Sequence, residues 1–339
     1  MKIGFIGLGR MGKAMVLHFL EEGVDVVVYN RSSEKTDELK VEVAKSHFDP
    51  PVGGEKSSEA SLSLRPAKGG TRSPDKLRDD RSIGKLTPCY NLNHLVNNLA
   101  PPRIIWLMVE HGKPVDEVIR ELIKAGVTKG DIIIDGGNSF YKDSVKRHKF
   151  LKEKGINFLD MGTSGGLEGA RNGACLMIGG EKNIYEKLVP LFQKLIGTKG
   201  GYAYFGPAGA GHFVKMVHNG VEYGMLQAIG EGFELLAKGP YDLNFHLISK
   251  NWNSGSVVRG WLMELLERAL QKDPKLKSFS GIIGGGSTGE WTVETAKELE
   301  VKVPVIKESL DARKKSLDKP SFSGKVVAAL RYQFGGHKV

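Results

Sequence analysis

The chain has 339 residues, of which 40% are hydrophobic and 26% are charged, a balance typical of a globular protein long enough for two domains. Its net charge of +10 favours anionic partners, but no stripe of interleaved basic and aromatic residues indicates nucleic acid. No apolar run approaches the roughly 18 residues of a membrane span, and the N-terminus lacks the pattern of a signal peptide. Cys89 and Cys175 fit neither a disulfide framework nor a metal-binding spacing. We therefore expect a cytoplasmic protein that binds no membrane, no nucleic acid and no metal.

Short apolar runs alternate with helical patterns through the first part of the chain. This alternation predicts an α/β fold that begins with a Rossmann-type, doubly wound parallel sheet. The predicted strands are Lys2–Ile6, Val24–Tyr29, Arg103–Val109, Asp131–Asp135, Asn157–Met161, Ala174–Ile178 and Tyr202–Phe205. The predicted helices run from a glycine-rich turn to Glu22 and over Pro114–Ala125 and Lys142–Lys154.

Longer helical stretches follow Gly209 and predict an all-helical C-terminal domain. The clearest of them are His212–Ala237 and Ser256–Gln271. We place the boundary near Pro207-Ala208, which gives an N-terminal domain at residues 1–208 and a helical domain with a C-terminal tail at residues 209–339.

A segment at about residues 41–83 fits neither pattern. It is rich in Ser, Gly, Pro and charged residues and has no apolar periodicity. A structureless loop of that length is unusual inside a compact domain, so we predict a disordered or loosely packed insertion.

The first predicted strand leads into a glycine-rich turn that opens a helix. Gly7, Gly9 and Gly12 have the G-x-G-x-x-G spacing that allows a tight turn, a close approach of the backbone to a pyrophosphate, and tight packing of the helix on the strand. The helix N-terminus adds free N–H groups and a partial positive charge. The alternative is a turn without a ligand. We predict that a nicotinamide cofactor binds here through Gly7, Leu8, Gly9, Arg10, Met11 and Gly12.

The end of the second predicted strand bears on the choice between NADP and NAD. NAD enzymes usually carry Asp or Glu here, bonded to the ribose 2′-hydroxyl. This chain instead has Asn30-Arg31-Ser32, in which Arg31 could hold a 2′-phosphate and Ser32 could add a hydrogen bond. The alternative is that Arg31 is a solvated loop residue. We predict NADP as the preferred cofactor, with NAD possible.

Four polar residues lie on one face of the first long helix of the C-terminal part. Lys215, His218, Asn219 and Glu222 fall at i, i+3, i+4 and i+7. Burying such groups without partners is costly, so this face is not simply core. A lysine and a carboxylate on one rigid element can supply a base and an acid. The alternative is an exposed polar face with a Lys–Glu pair.

This helix resembles the catalytic helix of 6-phosphogluconate dehydrogenases, within the wider β-hydroxyacid dehydrogenase family, in Lys215, His218, Asn219, Glu222 and Tyr223. Other segments that resemble the same family are Ile134–Ser139, Gly162–Gly166 with Gly169-Ala170, Trp252–Arg259 and the tail Arg331–His337. The chain carries about half of the helical domain of long members and resembles the short type, which is commonly NAD-linked. It departs from long members at Gly286 and Glu290, where they carry basic residues.

The resemblance implies oxidative decarboxylation of 6-phosphogluconate, a phosphorylated sugar acid, to ribulose 5-phosphate and CO2 in the pentose phosphate pathway. Lys215 would act first as a base and then stabilise the carbonyl oxygen, and Glu222 would protonate C1. A base role needs a lysine pKa below its usual value of about 10.4. The implied catalytic residues are Lys215, His218, Asn219 and Glu222. The implied substrate-binding residues are Asn138, Ser164, Gly165, Gly166, His218, Asn219, Tyr223, Arg259, Thr288, Arg331 and His337. Further cofactor contacts are expected from Met108, Val109 and Asn138.

The resemblance also implies a homodimer or homotetramer in which the C-terminal tail reaches the substrate site of a neighbouring subunit. Two other functions stay open. One is a 3-hydroxyisobutyrate dehydrogenase-like enzyme that acts on an unphosphorylated acid without decarboxylation, against which Arg259 and the basic tail argue. The other is a cofactor-binding protein without catalysis, against which Lys215, Asn219 and Glu222 argue.

Overall fold

The computed structural model describes residues 1–46, 83–197 and 200–337, in which eight strands form one sheet. The strands are β1 (Lys2–Ile6), β2 (Asp25–Tyr29), β3 (Leu86–Cys89), β4 (Ile104–Leu107), β5 (Ile132–Asp135), β6 (Asn157–Ser164), β7 (Cys175–Gly180) and β8 (Gly201–Gly206).

Helices connect these strands and then make up the rest of the described chain. Those between strands are α1 (Arg10–Glu21), α2 (Ser33–Ser46), α3 (Leu92–Asn97), α4 (Lys113–Lys124), α5 (Tyr141–Lys152), α6 (Gly166–Asn172) and α7 (Lys182–Ile196). Those that follow the sheet are α8 (Ala210–Lys238), α9 (Phe245–Asn253), α10 (Trp261–Lys272), α11 (Ser287–Glu298), α12 (Pro304–Lys315) and α13 (Phe322–Gly335).

The sheet has the strand order β3-β2-β1-β4-β5-β6-β7-β8, which confirms the predicted Rossmann-type fold. The first six strands run parallel, whereas β7 is antiparallel to β6. The sequence did not predict this reversal. Only residues 165–174 connect the two strands, which is too short for the crossover that a parallel pair requires.

The strand order reverses direction between β1 and β4, and this is where doubly wound sheets bind ligands. The glycine turn that follows β1 lies at this point. The sheet is covered on both faces, by one core around Phe5, Phe19 and Trp106 and by another around Leu95 and Ile133. A third core fills the helical part. Within the described residues, no helix is long and apolar enough to cross a membrane.

The sequence missed β3 because this strand contains Pro88, which is typical of edge strands and interrupts a strand pattern. The predicted insertion at about 41–83 begins too early, because α2 continues to Ser46 and buries Thr36 and Leu39 on its inner side. The rest of that segment, residues 47–82, lies outside the described residues.

Helix α8 has 29 residues and is therefore about 43 Å long. Its N-terminal part packs on β6 and β7, and the helix also contacts α11, α12 and α13. It thus belongs to both halves of the chain, and the boundary near Pro207-Ala208 stays a prediction. The helix predicted at Ser256–Gln271 begins later, at Trp261, because Gly260 at its N-cap adopts φ 157° and residues before it form turns.

Candidate active site

The N-terminus of α8 is fixed to the sheet by a buried carboxylate. The backbone N–H groups of Gly209 and His212 donate to the two oxygens of Asp160 on β6, at 2.6 and 2.8 Å. A carboxylate at this end of a helix also complements the helix dipole. A Cβ on Gly211 would lie 2.5 Å from the carbonyl oxygens of Asp160 and Met177, so glycine is required where the helix meets β6 and β7.

Lys215 lies one turn further along α8 and is only 8% exposed. A Cβ on Gly162 of β6 would lie 2.2 Å from the Lys215 Cβ, so the stem of the lysine packs directly on the strand. Burial lowers the pKa of Lys215 to about 8, against opposing effects of Glu222 and Cys175. About a tenth of this amine is therefore neutral at pH 7 and about half at pH 8, and the neutral form is the one that can accept a proton.

His218 and Asn219 follow on the same face of α8. His218 Nδ1 lies 3.0 Å from the Asn219 Oδ1, and its Nε2 lies 3.2 Å from the Ser164 hydroxyl at the end of β6. With Nδ1 donating to the amide oxygen, Nε2 accepts from the serine. Burial lowers the pKa of His218, and the neighbouring Lys215 charge lowers it further. The structure therefore brings Lys215, His218, Asn219 and Ser164 together.

Asn138 lies in the loop after β5. The Ser139 hydroxyl donates to Asp135 Oδ2 at 2.8 Å, and the Arg147 guanidinium donates to the same oxygen at 3.2 Å. Asp135, Ser139 and Arg147 are all buried, whereas Asn138 is exposed. Buried hydrogen bonds thus hold this loop in place, and its one exposed side chain is that of Asn138, the predicted ligand-binding residue.

Four side chains from four helices form what we call the arginine cluster: Tyr223, Thr288, Arg313 and Arg331. The Tyr223 hydroxyl lies 3.3 Å from Thr288 Oγ1, and the Arg313 guanidinium carbon lies 3.4 Å from the centre of the Tyr223 ring. Within the described chain, Nη2 of Arg313 and Nη1 of Arg331 are buried and have no hydrogen-bond partner. Burial lowers the pKa of Arg313 to about 10 and lowers that of Arg331 as well.

Two buried guanidinium groups with unpartnered nitrogens are unfavourable by themselves, since buried charges are normally paired. A doubly charged anion such as a phosphate monoester would pair with both of them. Glu222 lies close enough to influence both arginines and Lys215 electrostatically. The cluster therefore adjoins the Lys215 group.

Sequence reasoning missed Arg313. It lies on α12 on the same buried face as Ser309 and Leu310, and an arginine in the apolar stripe of an amphipathic helix was the available signal. Arg259, which was predicted instead, is exposed in the turn before α10. No hydrogen bond or ion pair joins its guanidinium to another described residue, and the structure does not bring it to the cluster.

The C-terminal tail contacts the glycine turn and the turn after β6 of its own chain, and the expected reach into a neighbouring subunit stays a prediction. The guanidinium of Arg10 donates to the carbonyl of Gly336, and a Cβ on Gly166 would lie 2.1 Å from the carbonyl oxygen of Phe334. The reason is the packing of α13 along α8, which directs the tail towards the glycine turn. Burial, followed by the charges of Arg331, Arg10 and Arg313, lowers the pKa of His337.

The glycine turn has the geometry that a dinucleotide requires. Gly7 has φ +103°, and a Cβ there would lie 2.3 Å from the carbonyl oxygen of Met108. A Cβ on Gly12 would lie 2.0 Å from the carbonyl oxygen of Gly7, whereas the space above Gly9 is open. No side chain caps the N-terminus of α1, so its N–H groups remain available to a pyrophosphate. Met108 and Val109 border the turn, and their contact with a cofactor stays a prediction.

The loop after β2 is braced by its own side chains. Asn30 Oδ1 accepts from the Leu8 N–H at 2.8 Å, so Asn30 supports the glycine turn. The Ser32 hydroxyl donates to Glu34 at 2.5 Å, and this bond lowers the pKa of Glu34. Arg31 is exposed beside them. The Ser32 hydroxyl is therefore already bonded to a carboxylate, and contact of Arg31 and Ser32 with a 2′-phosphate stays a prediction.

Both parts of the chain match known families. Residues 2–60 and 68–203 match the NAD binding domain of 6-phosphogluconate dehydrogenase, and residues 211–329 match the 6-phosphogluconate dehydrogenase C-terminal domain. YqeC of Bacillus subtilis, named only provisionally as a 6-phosphogluconate dehydrogenase, is 44% identical over 337 residues, which are 99% of this chain and 98% of YqeC. The NAD(+)-dependent, decarboxylating 6-phosphogluconate dehydrogenase of Haloferax volcanii is 38% identical over 340 residues, which are 100% of this chain and 98% of that protein.

Solved structures agree with these matches. The 6-phosphogluconate dehydrogenase of Plasmodium falciparum, studied without ligand, with its cofactor NADP+ and with its substrate 6-phosphogluconate, has a TM-score of 0.76 and 31% identity. The match covers 94% of this chain and 62% of that one. A 3-hydroxyisobutyrate dehydrogenase of Mycobacterium tuberculosis shares the fold alone, with a TM-score of 0.65 and 16% identity over 96% of this chain and 97% of that one. The chain belongs to the 6-phosphogluconate dehydrogenase family and is an NAD(P)-dependent oxidoreductase.

Proposed function

We propose that the protein catalyses the oxidative decarboxylation of 6-phosphogluconate to ribulose 5-phosphate and CO2, with NADP preferred over NAD. The observation that carries this proposal is the arginine cluster, with its two unpartnered guanidinium nitrogens, next to a buried lysine of lowered pKa. The phosphate group at one end of a sugar acid would pair with the arginines. The hydroxyls of the same molecule would then lie next to Lys215.

Lys215 is the proposed base. In its neutral form the amine takes the proton of the C3 hydroxyl, and this step is favoured because burial holds its pKa at about 8. The nicotinamide of a cofactor whose pyrophosphate is held at the glycine turn would supply the hydride acceptor for C3. The protonated Lys215 then donates a hydrogen bond to the new C3 carbonyl oxygen and stabilises the negative charge that develops there as CO2 leaves.

Glu222 is the proposed acid that delivers a proton to C1 of the resulting enediol. It lies seven residues, or two turns, after Lys215 and so on the same face of α8. His218, Asn219 and Asn138 are the proposed ligands of the substrate hydroxyls. Ser164, with the backbone of Gly165 and Gly166, would hold the carboxylate end.

The arginine cluster is the proposed phosphate site. Charge-assisted hydrogen bonds from Arg313 and Arg331 would satisfy the nitrogens that are otherwise buried without partners. Tyr223 and Thr288 would add hydroxyl donors, and His337 lies close enough to Arg331 for its pKa to respond to that charge. Gly286 and Glu290 offer no positive charge, so this site differs from that of long family members.

The preference for NADP rests on Arg31 and Ser32. A guanidinium can hold a 2′-phosphate with two parallel hydrogen bonds. Asn30 stands where NAD enzymes usually carry a carboxylate, which would repel this phosphate. Glu34 opposes this preference because its carboxylate accepts the hydrogen bond that the Ser32 hydroxyl donates. The relatives differ, since the Haloferax volcanii enzyme is NAD(+)-dependent and the Plasmodium falciparum enzyme has NADP+ as cofactor.

We also propose assembly into a homodimer or homotetramer in the cytoplasm. Val217, Val221 and Met225 follow one another at i, i+4 and i+8 on α8 and are 39%, 51% and 52% exposed. An apolar stripe of this kind favours burial against a second copy of the chain. Both cysteines are free thiols in the described structure, which supports a reducing compartment. Light scattering after size-exclusion chromatography measures the assembly, and a monomer at micromolar concentration contradicts it.

The decisive experiment measures cofactor reduction and CO2 release with 6-phosphogluconate, gluconate and 3-hydroxyisobutyrate, each with NADP and with NAD. We expect one CO2 for each NADPH formed from 6-phosphogluconate and little activity with gluconate, which lacks the phosphate. Turnover of 3-hydroxyisobutyrate without CO2 would identify a different β-hydroxyacid dehydrogenase. A kcat/KM with NAD that equals or exceeds that with NADP would contradict the cofactor preference.

A further inference from the structure

A buried histidine joins the catalytic helix to the loop that carries Asn138. His212 lies on α8 three residues before Lys215 and is 1% exposed. Its Nε2 lies 3.2 Å from the carbonyl oxygen of Gly137, and its Nδ1 lies 2.7 Å from the hydroxyl of Ser144 on α5. A carbonyl oxygen can only accept, so Nε2 donates to it. Both ring nitrogens are therefore held by hydrogen bonds, one to the loop after β5 and one to α5.

The loop at residues 136–139 is fixed on both sides of Asn138. The Gly136 N–H donates to the carbonyl of Leu107 at 2.9 Å, and the Ser139 hydroxyl donates to Asp135 at 2.8 Å. The side chain of Asn138 itself makes no hydrogen bond to any other described residue. The peptide between Gly137 and Asn138 has its carbonyl held by His212, so this bond fixes the backbone directly before Asn138.

We propose that His212 is a positioning residue, which sets the distance and orientation of Asn138 relative to Lys215. The proposal rests on the proposed function, in which both side chains meet the same substrate. His212 and Lys215 lie on one rigid helix. The hydrogen bond from His212 to the loop therefore fixes the position of Asn138 relative to Lys215. A misplacement of about 1 Å at a reacting site can lower a rate by about 100-fold.

Two neutral substitutions separate the two bonds of the ring. The amide of His212→Gln reaches the position of Nε2 and can still donate to the Gly137 carbonyl. The shorter amide of His212→Asn reaches only the position of Nδ1 and keeps the bond to Ser144. We expect His212→Asn to lower kcat about 30-fold, with KM for the cofactor changed less than twofold, and His212→Gln to lower kcat less than fivefold.

The control is His148→Asn, the same substitution in a histidine of α5 whose buried Nδ1 has no hydrogen-bond partner in the described structure. We expect its kcat to stay within twofold of the wild type. A purely structural role of His212 predicts the opposite order of the two His212 variants, because Asn keeps the shorter bond. If kcat follows the melting temperature across the three variants, the proposal is overturned.

Amide hydrogen exchange over residues 136–139 tests the same bond without any substrate. We expect faster exchange in His212→Asn than in His212→Gln, and equal rates would overturn the proposal. Failure of the proposed function would give a different result. The wild-type protein would then not oxidise 6-phosphogluconate, but the difference in exchange between the two His212 variants would persist.

Discussion

The glycine turn and the arginine cluster are the two places in this protein that are suited to phosphate groups, and they are built in opposite ways. The turn uses the backbone of six consecutive residues, with its N–H groups at the start of α1 and no buried charge. The cluster uses side chains from α8, α11, α12 and α13 and buries two guanidinium groups. A backbone site is thus complete once the local chain folds, whereas a side-chain site depends on the packing of distant helices.

The difference has an energetic consequence. The Gly7 and Leu8 N–H groups bond to Tyr29 and Asn30, and those at the start of α1 are uncharged and lack only a capping side chain, so they cost little in the free protein. The unpartnered nitrogens of Arg313 and Arg331 carry a desolvation cost that an anion would offset. The cluster should therefore bind its anion selectively but contribute nothing favourable to the stability of the free protein.

Replacement of Lys215 should have the largest effect, and it should lower catalysis without weakening cofactor binding at the glycine turn. We expect Lys215→Met to lower kcat by about 1,000-fold or more, because general base catalysis typically contributes between about 100-fold and 10,000-fold and the same group also stabilises the carbonyl oxygen. Cofactor affinity, measured by fluorescence titration, should change less than twofold. The control is Lys149→Met on the exposed face of α5. Retention of more than a tenth of the wild-type kcat would reject Lys215 as the base.

Replacement of the cluster arginine comes next in size. We expect Arg313→Met to raise KM for 6-phosphogluconate about 10- to 150-fold, as loss of a charge-assisted contact worth about 1.5–3 kcal/mol implies, with KM for NADP unchanged. The unfolding free energy should be unchanged or higher, because an unpaired buried charge is removed. Arg259→Met is the matched comparison, and we expect little effect from it. A larger increase of KM in Arg259→Met than in Arg313→Met would show that Arg259, and not Arg313, binds the phosphate.

The pH dependence follows from the lowered pKa of Lys215. Because the neutral amine is the base, kcat/KM should fall about tenfold for each pH unit below about 8 and level off above it. In stability, the folded protein loses this proton at about 8 and the unfolded chain at 10.5, so the group's contribution to the unfolding free energy rises with pH between these values. Lys215→Met should lack this rise in chemical denaturation, and identical pH profiles for variant and wild type would contradict the assignment.

The smallest effects concern the loop beside the glycine turn. We expect Arg31→Ala to lower kcat/KM for NADP about tenfold and to leave that for NAD within twofold. Glu34→Gln should raise kcat/KM for NADP a few-fold, because the Ser32 hydroxyl would no longer donate its hydrogen bond to a carboxylate. Neither substitution should alter KM for 6-phosphogluconate. Equal changes with both cofactors would indicate that Arg31 and Glu34 do not contact the 2′ position.

Sequence reasoning was most successful where a structural feature depends on neighbours along the chain. The spacing of Gly7, Gly9 and Gly12 and the helical spacing of Lys215, His218, Asn219 and Glu222 need no knowledge of the fold beyond the period of a helix. For the same reason the strands β1, β2 and β5 were predicted within one residue of their observed bounds. The edge strand β3 was missed because its Pro88 interrupts the local pattern.

Only the tertiary structure decided which distant side chains meet. It brought Arg313 to Tyr223 and left Arg259 exposed, it folded the tail back on its own chain at Arg10, and it placed His212 against Gly137. None of these contacts follows from spacing, because each depends on how α8 packs against elements far away in sequence. The amino-acid sequence by itself determined the glycine turn and the polar face of α8, since both are properties of a short length of backbone. Burial, which sets the pKa of Lys215 and leaves two arginine nitrogens without partners, exists only once the helices are packed together.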